Sequence, residues 1–176
     1  QCWGNASNGG TTPSPAITAK SLAASYAAMC AIKSDDTVQC WGTTGWGSPA
    51  PSPTITAKSI VANYGAMCAI KLDNTVQCWG TSSYGGVTPS PVISAKSISS
   101  TSYAMCAIKL DDTVQCWGTS SSGGTTPSPV ISAKSLPSGS GSIGAASSAM
   151  CAIKSDDTVQ CWGNTNFGGI TPSPVI

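Results

Sequence analysis

Short β-rich runs separated by polar turns set the pattern of this chain. The run AMCAIK, ending at Lys33, is followed by SDD and then by TVQCWG, an order that reads as a β-hairpin. Placing Ser34, Asp35 and Asp36 in a three-residue loop pairs Lys33 with Thr37, Ile32 with Val38, Ala31 with Gln39 and Cys30 with Cys40. Alternation then puts Ile32, Val38 and both cysteines on one face, and Met29, Ala31, Gln39 and Trp41 on the other. Both faces are substantially apolar, which suits a small sheet sandwiched between neighbours. The third loop position is Asp36, Asn74, Asp112 or Asp157, and it calls for a left-handed conformation that Asn and Asp tolerate. A hairpin alone is marginal in water, so a third strand is expected from AKSL or AKSI and the residues after it.

The pattern recurs. The tetrad QCWG begins at Gln1, Gln39, Gln77, Gln115 and Gln160, and AMCAIK ends at Lys33, Lys71, Lys109 and Lys154. The chain therefore reads as one repeat array: a partial unit over 1–17, repeats over 18–55, 56–93 and 94–131, and a repeat over 132–176. The last carries a seven-residue Gly/Ser-rich insertion around 137–142, expected to be an enlarged surface loop. The fold class is all-β: tandem three-stranded sheets of about 38 residues, as propeller-like blades or an open superhelical stack.

Composition narrows the setting. The 176 residues are 40% hydrophobic and only 9% charged, so the chain can bury a core, and its net charge is +1. The charges are all Lys and Asp, the lysines singly spaced and matched by Asp, which removes the basic clusters that nucleic-acid binding requires. Nine cysteines in a Ser/Thr/Gly-rich chain point to an oxidising compartment, hence an extracellular or cell-surface location. No apolar run approaches the roughly 20 residues of a membrane helix, so membrane insertion is not expected. With no signal peptide and Gln1 in first place, a processed mature chain is expected.

The register brings Cys30 to Cys40, Cys68 to Cys78, Cys106 to Cys116 and Cys151 to Cys161, leaving Cys2 unpaired or intermolecular. The alternative joins successive units, Cys2 to Cys30 and onward, and leaves Cys161 over.

The run CAIKSDDTVQCWG followed by a glycine pair, Gly168 and Gly169, resembles the repeat of the regulator of chromosome condensation family. That resemblance spans essentially the whole chain and implies a β-propeller of radially packed blades. The unit length is closer to the three-stranded blades of the bacterial β-lactamase-inhibitor propeller. The chain departs from the family in having Asp or Asn where a turn glycine is usual, and in its unit count: four full units and fragments against a usual seven blades. That deficit leaves three possibilities: a window from a longer chain, an open superhelical stack, or subunits associated head to tail, since heterologous faces that do not close generate filaments.

Candidate chemistry is sparse. Without His or Glu, no general acid-base pair is formed, and no catalytic, cofactor or metal residues are assigned. The Asp35/Asp36, Asp111/Asp112 and Asp156/Asp157 pairs read as solvated turns, since a calcium cage needs more oxygens. The repeated tryptophans read as inter-unit packing more than as a sugar-stacking ladder. Trp46, Tyr84 and Phe167 break the repeat symmetry and are the candidate partner-binding residues. Asn5 begins an N-glycosylation sequon, and Thr12, Thr88, Thr126 and Thr171 are candidate O-glycosylation sites. These features favour a non-catalytic extracellular structural repeat protein that self-assembles into a fibre or surface layer; the alternative is a secreted propeller binding a protein or glycan.

Overall fold

A computed structural model describes residues 2, 4–8, 10–43, 51, 53–134 and 143–171. Its twelve strands form four three-stranded antiparallel sheets in tandem, each a meander in sequence order. The first sheet comprises β1 (Ala19–Ala24), β2 (Ala28–Lys33) and β3 (Val38–Gly42). The second comprises β4 (Ala57–Ala62), β5 (Ala66–Lys71) and β6 (Val76–Gly80), and the third β7 (Ala95–Ser100), β8 (Ala104–Lys109) and β9 (Val114–Gly118). The fourth comprises β10 (Ile143–Ala145), β11 (Ala149–Ile153) and β12 (Val159–Gly163).

The hairpin register is the one that alternation dictates: Ile32 faces Val38, Ala31 faces Gln39 and Cys30 faces Cys40, and all four hairpins repeat it. Asp36, Asn74, Asp112 and Asp157 take φ of 67–71°, in the left-handed region expected of them. The third strand is the AKS segment, with a bulge at its start: Ala19 pairs with Lys33 and the next pair is Ser21 with Ile32. In the fourth unit Ala133 still bridges Lys154 and Ile143 already pairs with Ala152. The inserted residues 137–142 fall in sequence between these two pairings and lie outside the described residues.

Burial explains why both sheet faces are apolar. One core cluster combines Cys30, Ile32 and Val38 of the first unit with Ile60, Met67 and Trp79 of the second. The same layer recurs between the second and third units and between the third and fourth. Each sheet therefore buries its Cys/Ile/Val face on the Met/Ala/Trp face of the next. Main-chain bonds stitch the layers: Val38 donates to the Ile55 carbonyl at 3.0 Å and Ala57 to that of Asp36 at 2.9 Å. First strands of successive sheets stand side by side, so β1, β4, β7 and β10 form the inner edge of the array.

Candidate functional site

A meander has two ends, and in this array they differ in chemistry. Every lysine and aspartate sits at one end, where the first strand begins and the second turns into the third. There the first Asp of each loop accepts from the Thr two residues on. Asp35 Oδ1 takes the Thr37 hydroxyl at 2.6 Å and the Thr37 N–H at 3.0 Å, and Asp73, Asp111 and Asp156 repeat the pair. That hydroxyl first, then the N–H, then Lys33 hold Asp35 at about 2 instead of the usual 3.8. Asp111 and Asp156 are likewise held at about 2, and Asp73 is lowered by the same contacts.

The second Asp of each loop meets a lysine from the bulge: Lys20 reaches Asp36 at 2.5 Å, Lys96 reaches Asp112 at 2.6 Å, and Lys134 pairs with Asp157. In the second unit Lys58 bonds Asn74 instead, so the one excess positive charge of the chain traces to this substitution. Ion pairs from Lys33, Lys71, Lys109 and Lys154 to the first Asp of each loop complete the charge accounting. Each carboxylate is engaged by a lysine, which fits the reading of these pairs as turn residues.

The opposite end carries no charge. Four turns lead from first to second strand: Ser25-Tyr26, Asn63-Tyr64, Thr101-Ser102 and Ala146-Ser147. They converge around an open bowl of about 400 Å³. Main-chain bonds hold them together across units, Tyr64 donating to the Ser102 carbonyl at 3.1 Å and Ser102 to that of Ser147 at 3.0 Å. Asn63 and Thr101 are buried and point away from ligand duty. Asn63 Nδ2 donates to the Tyr84 carbonyl at 2.6 Å, and Thr101 Oγ1 to the Ser122 carbonyl at 2.9 Å. Tyr26 stacks on Tyr64 with ring centroids 4.6 Å apart, and Tyr84 and Tyr103, 5.0 Å from each other, back Tyr64 at 6.2 and 5.8 Å. Burial and then the neighbouring phenols raise the Tyr64 pKa, which keeps this hydroxyl neutral.

Of the residues singled out by repeat asymmetry, Tyr84 joins this tyrosine cluster and Phe167 lies exposed at the equivalent place in the last unit, while Trp46 is outside the described residues. Three tryptophans serve packing: Trp79 is buried, and the Trp117 and Trp162 indoles donate to the Gly85 and Gly123 carbonyls of the preceding unit at 3.0 and 3.2 Å. Gly85 has φ of 90° and lies so close to Met105 that a Cβ there would sit 2.9 Å from its side chain, so this contact requires glycine.

Four disulfides close the hairpins, Cys30–Cys40, Cys68–Cys78, Cys106–Cys116 and Cys151–Cys161, with Cα atoms 4.0–4.1 Å apart. Hydrogen-bonded pairs at Lys33/Thr37 and Ala27/Thr43 place Cys30 and Cys40 at a non-hydrogen-bonded site, where side chains approach closest. Cys2 is a free, half-buried thiol. Thr12, Thr88, Thr126 and Thr171 each bracket a cysteine, the hydroxyl accepting from its N–H at 2.9–3.0 Å and donating to its carbonyl at 3.3 Å. Asn5 is exposed, and its Oδ1 accepts from Ser7 at 2.9 Å to cap a short 3-10 turn. Sequence reasoning missed both the threonine brackets and the bowl. The constant ten-residue spacing from Cys to Thr was the available signal for the first.

No protein-family model and no curated protein matches the chain. Solved structures do. The ectodomain of the Physcomitrella patens receptor kinase CR4 aligns with a TM-score of 0.62 at 20% identity, over 83% of this chain and 39% of that one. The CRINKLY WD40 ectodomain of the Arabidopsis thaliana receptor kinase ACR4 gives 0.62 at 25% identity, over 90% and 52%. Prp20p of Saccharomyces cerevisiae gives 0.57 at 16% identity, over 82% and 43%. The fold is that of the β-propeller repeat proteins, RCC1 among them, and the chain spans about half or less of each neighbour's length.

Proposed function

We propose that this chain is a non-catalytic extracellular structural repeat protein that associates head to tail into a fibre or surface layer. The observation that carries it is the complementarity of the array's two outer faces. Ile60, Ile98 and Ile143 are 9%, 8% and 6% exposed against the preceding unit, whereas their counterpart Leu22 is 56% exposed. At the other end, the counterparts of the buried Cys30, Ile32 and Val38 are Cys151, Ile153 and Val159, all of them half-buried. Gly168, counterpart of Gly85, has φ of 92° and nothing within 4 Å of its Cβ direction. Among the described residues, the two outer faces thus carry the same residue types as the two halves of an interface that the fold builds three times internally. Burying one such leucine contributes roughly 1.5–3 kcal/mol. The four disulfides, together with likeness to receptor ectodomains, support the extracellular setting.

Sedimentation velocity of never-reduced chain from about 1 µM to roughly 300 µM tests this, because association follows mass action. Growth in size with concentration, abolished by Leu22→Lys, is the expected result. A single species of one chain throughout contradicts it.

A partner-binding role is the second reading, and the neutral bowl favours it. Prp20p has been described with its binding properties to Gsp1p and histones, and yeast RCC1 (Prp20) in complex with Kap60, so this fold accommodates partners.

A further inference from the structure

We infer that the bowl at the uncharged end is a binding site for a neutral sugar, with the Tyr26–Tyr64 stack as its platform. This rests on the partner-binding reading and fixes the ligand class. Four independent features of the bowl point the same way.

The first is electrostatic. Lysines and aspartates crowd the opposite end of the sheets, and no charged side chain lines the bowl. A charged ligand would have to shed water with no counter-charge to meet it, whereas a neutral polyol loses less. Size is the second: about 400 Å³ lies within the range of small-ligand pockets.

The third feature is the lining itself. Tyrosine supplies a rigid amphipathic surface with one apolar face and a polar tip, while Ser side chains supply adaptable hydrogen bonds. A sugar presents the matching pair, a C–H face to lie on a ring and a rim of hydroxyls. Tyr26 is 59% exposed in the bowl and is braced from behind by Tyr64, so its ring is held in place before any ligand arrives. Ser102 and Ser147, with hydroxyls 3.5 Å apart across the unit boundary, stand among the other lining residues.

The fourth is the pattern of variation within the chain. AMCAIK and QCWG are identical in the four full units, whereas the turns around the bowl read Ser-Tyr-Ala, Asn-Tyr-Gly, Thr-Ser-Tyr and Ala-Ser-Ser. Main-chain bonds join Tyr64 to Ser102 and Ser102 to Ser147 across units, so this second turn position is held whichever side chain it carries. Repetition has produced one asymmetric site from four symmetric blades.

The test is saturation-transfer NMR on the never-reduced chain. Its probes are lactose, maltotriose, mannotriose and N-acetylglucosamine dimers, beside heparin fragments and a random peptide library. Tyr26→Ser and Tyr64→Ser are the variants, and each installs a residue that Ser102 and Ser147 already carry at that turn position, so the fold tolerates them. The expected result is saturable binding of at least one neutral sugar, insensitive to 0.5 M salt and weakened roughly three- to tenfold by either variant. Sugar binding untouched by the variants overturns the bowl as the site. Tyr26-dependent binding of peptide or heparin but of no neutral sugar overturns the ligand class and leaves the binding role intact. No Tyr26-dependent binding of any probe overturns both.

Discussion

The charged and uncharged ends of the sheets are built from the same strands and solve the same problem, turning the chain back on itself, by different means. At the charged end the turn is made by side chains. Asp35 and its equivalents accept from Thr, Asp36 and its equivalents adopt positive φ and meet a bulge lysine, and the sequence is nearly the same in every unit. At the uncharged end the first turn residue bonds through its side chain, as Ser25, Asn63 and Thr101 do, while the second is tied across units by backbone, from Tyr64 to Ser102 to Ser147, and both differ from unit to unit. Where main chain ties a turn position across units, the side chain at that position is left to vary.

Four variants sharpen or break this contrast. The largest effect belongs to the staple between the ends. Replacing Cys106 and Cys116 by Ala opens a short loop, and the third unit should lose about 2–3 kcal/mol in denaturant titration. Next, Asp112→Val at the charged end puts a β-branched residue at φ of 68°, and about 1–2 kcal/mol should be lost by the same measurement.

Acid should act on the charged end alone. Asp35, Asp111 and Asp156 titrate at about 2 in the fold against 3.8 ordinarily, so their stabilisation is complete above pH 3.8 and vanishes as pH falls toward 2. Thr113→Val removes the leading cause at Asp111. Its pKa, read by carboxyl carbon NMR, should climb from about 2 toward 3.8, and that share of acid sensitivity should disappear. The smallest effect is at the uncharged end: Tyr26→Ser should change stability by no more than about 0.5 kcal/mol, since no backbone bond depends on it. A loss as large as that of Asp112→Val would dissolve the contrast between the ends.

The charged end was legible in the sequence because its constraints are local. Period-two alternation gave Ile32 opposite Val38 and the cysteine pairs, and the preference of Asp and Asn for positive φ marked the third loop position. The lysine contacts were not legible, because Lys20 and Asp36 lie sixteen residues apart and meet only once a bulge turns the first strand. Nor was the bowl, which draws on four units whose turn sequences share no motif. Tyr84 drew attention as a break in the repeat, yet its partners Tyr64 and Tyr103 come from turns that no spacing rule links to it.

The most direct test of head-to-tail assembly is electron microscopy of natively purified, never-reduced chain at high concentration. Continuous filaments with an axial repeat of one chain, the Leu22 face of each copy seated on the Val159 face of the next, are the expected result. Isolated four-sheet particles with both faces bare would contradict the account.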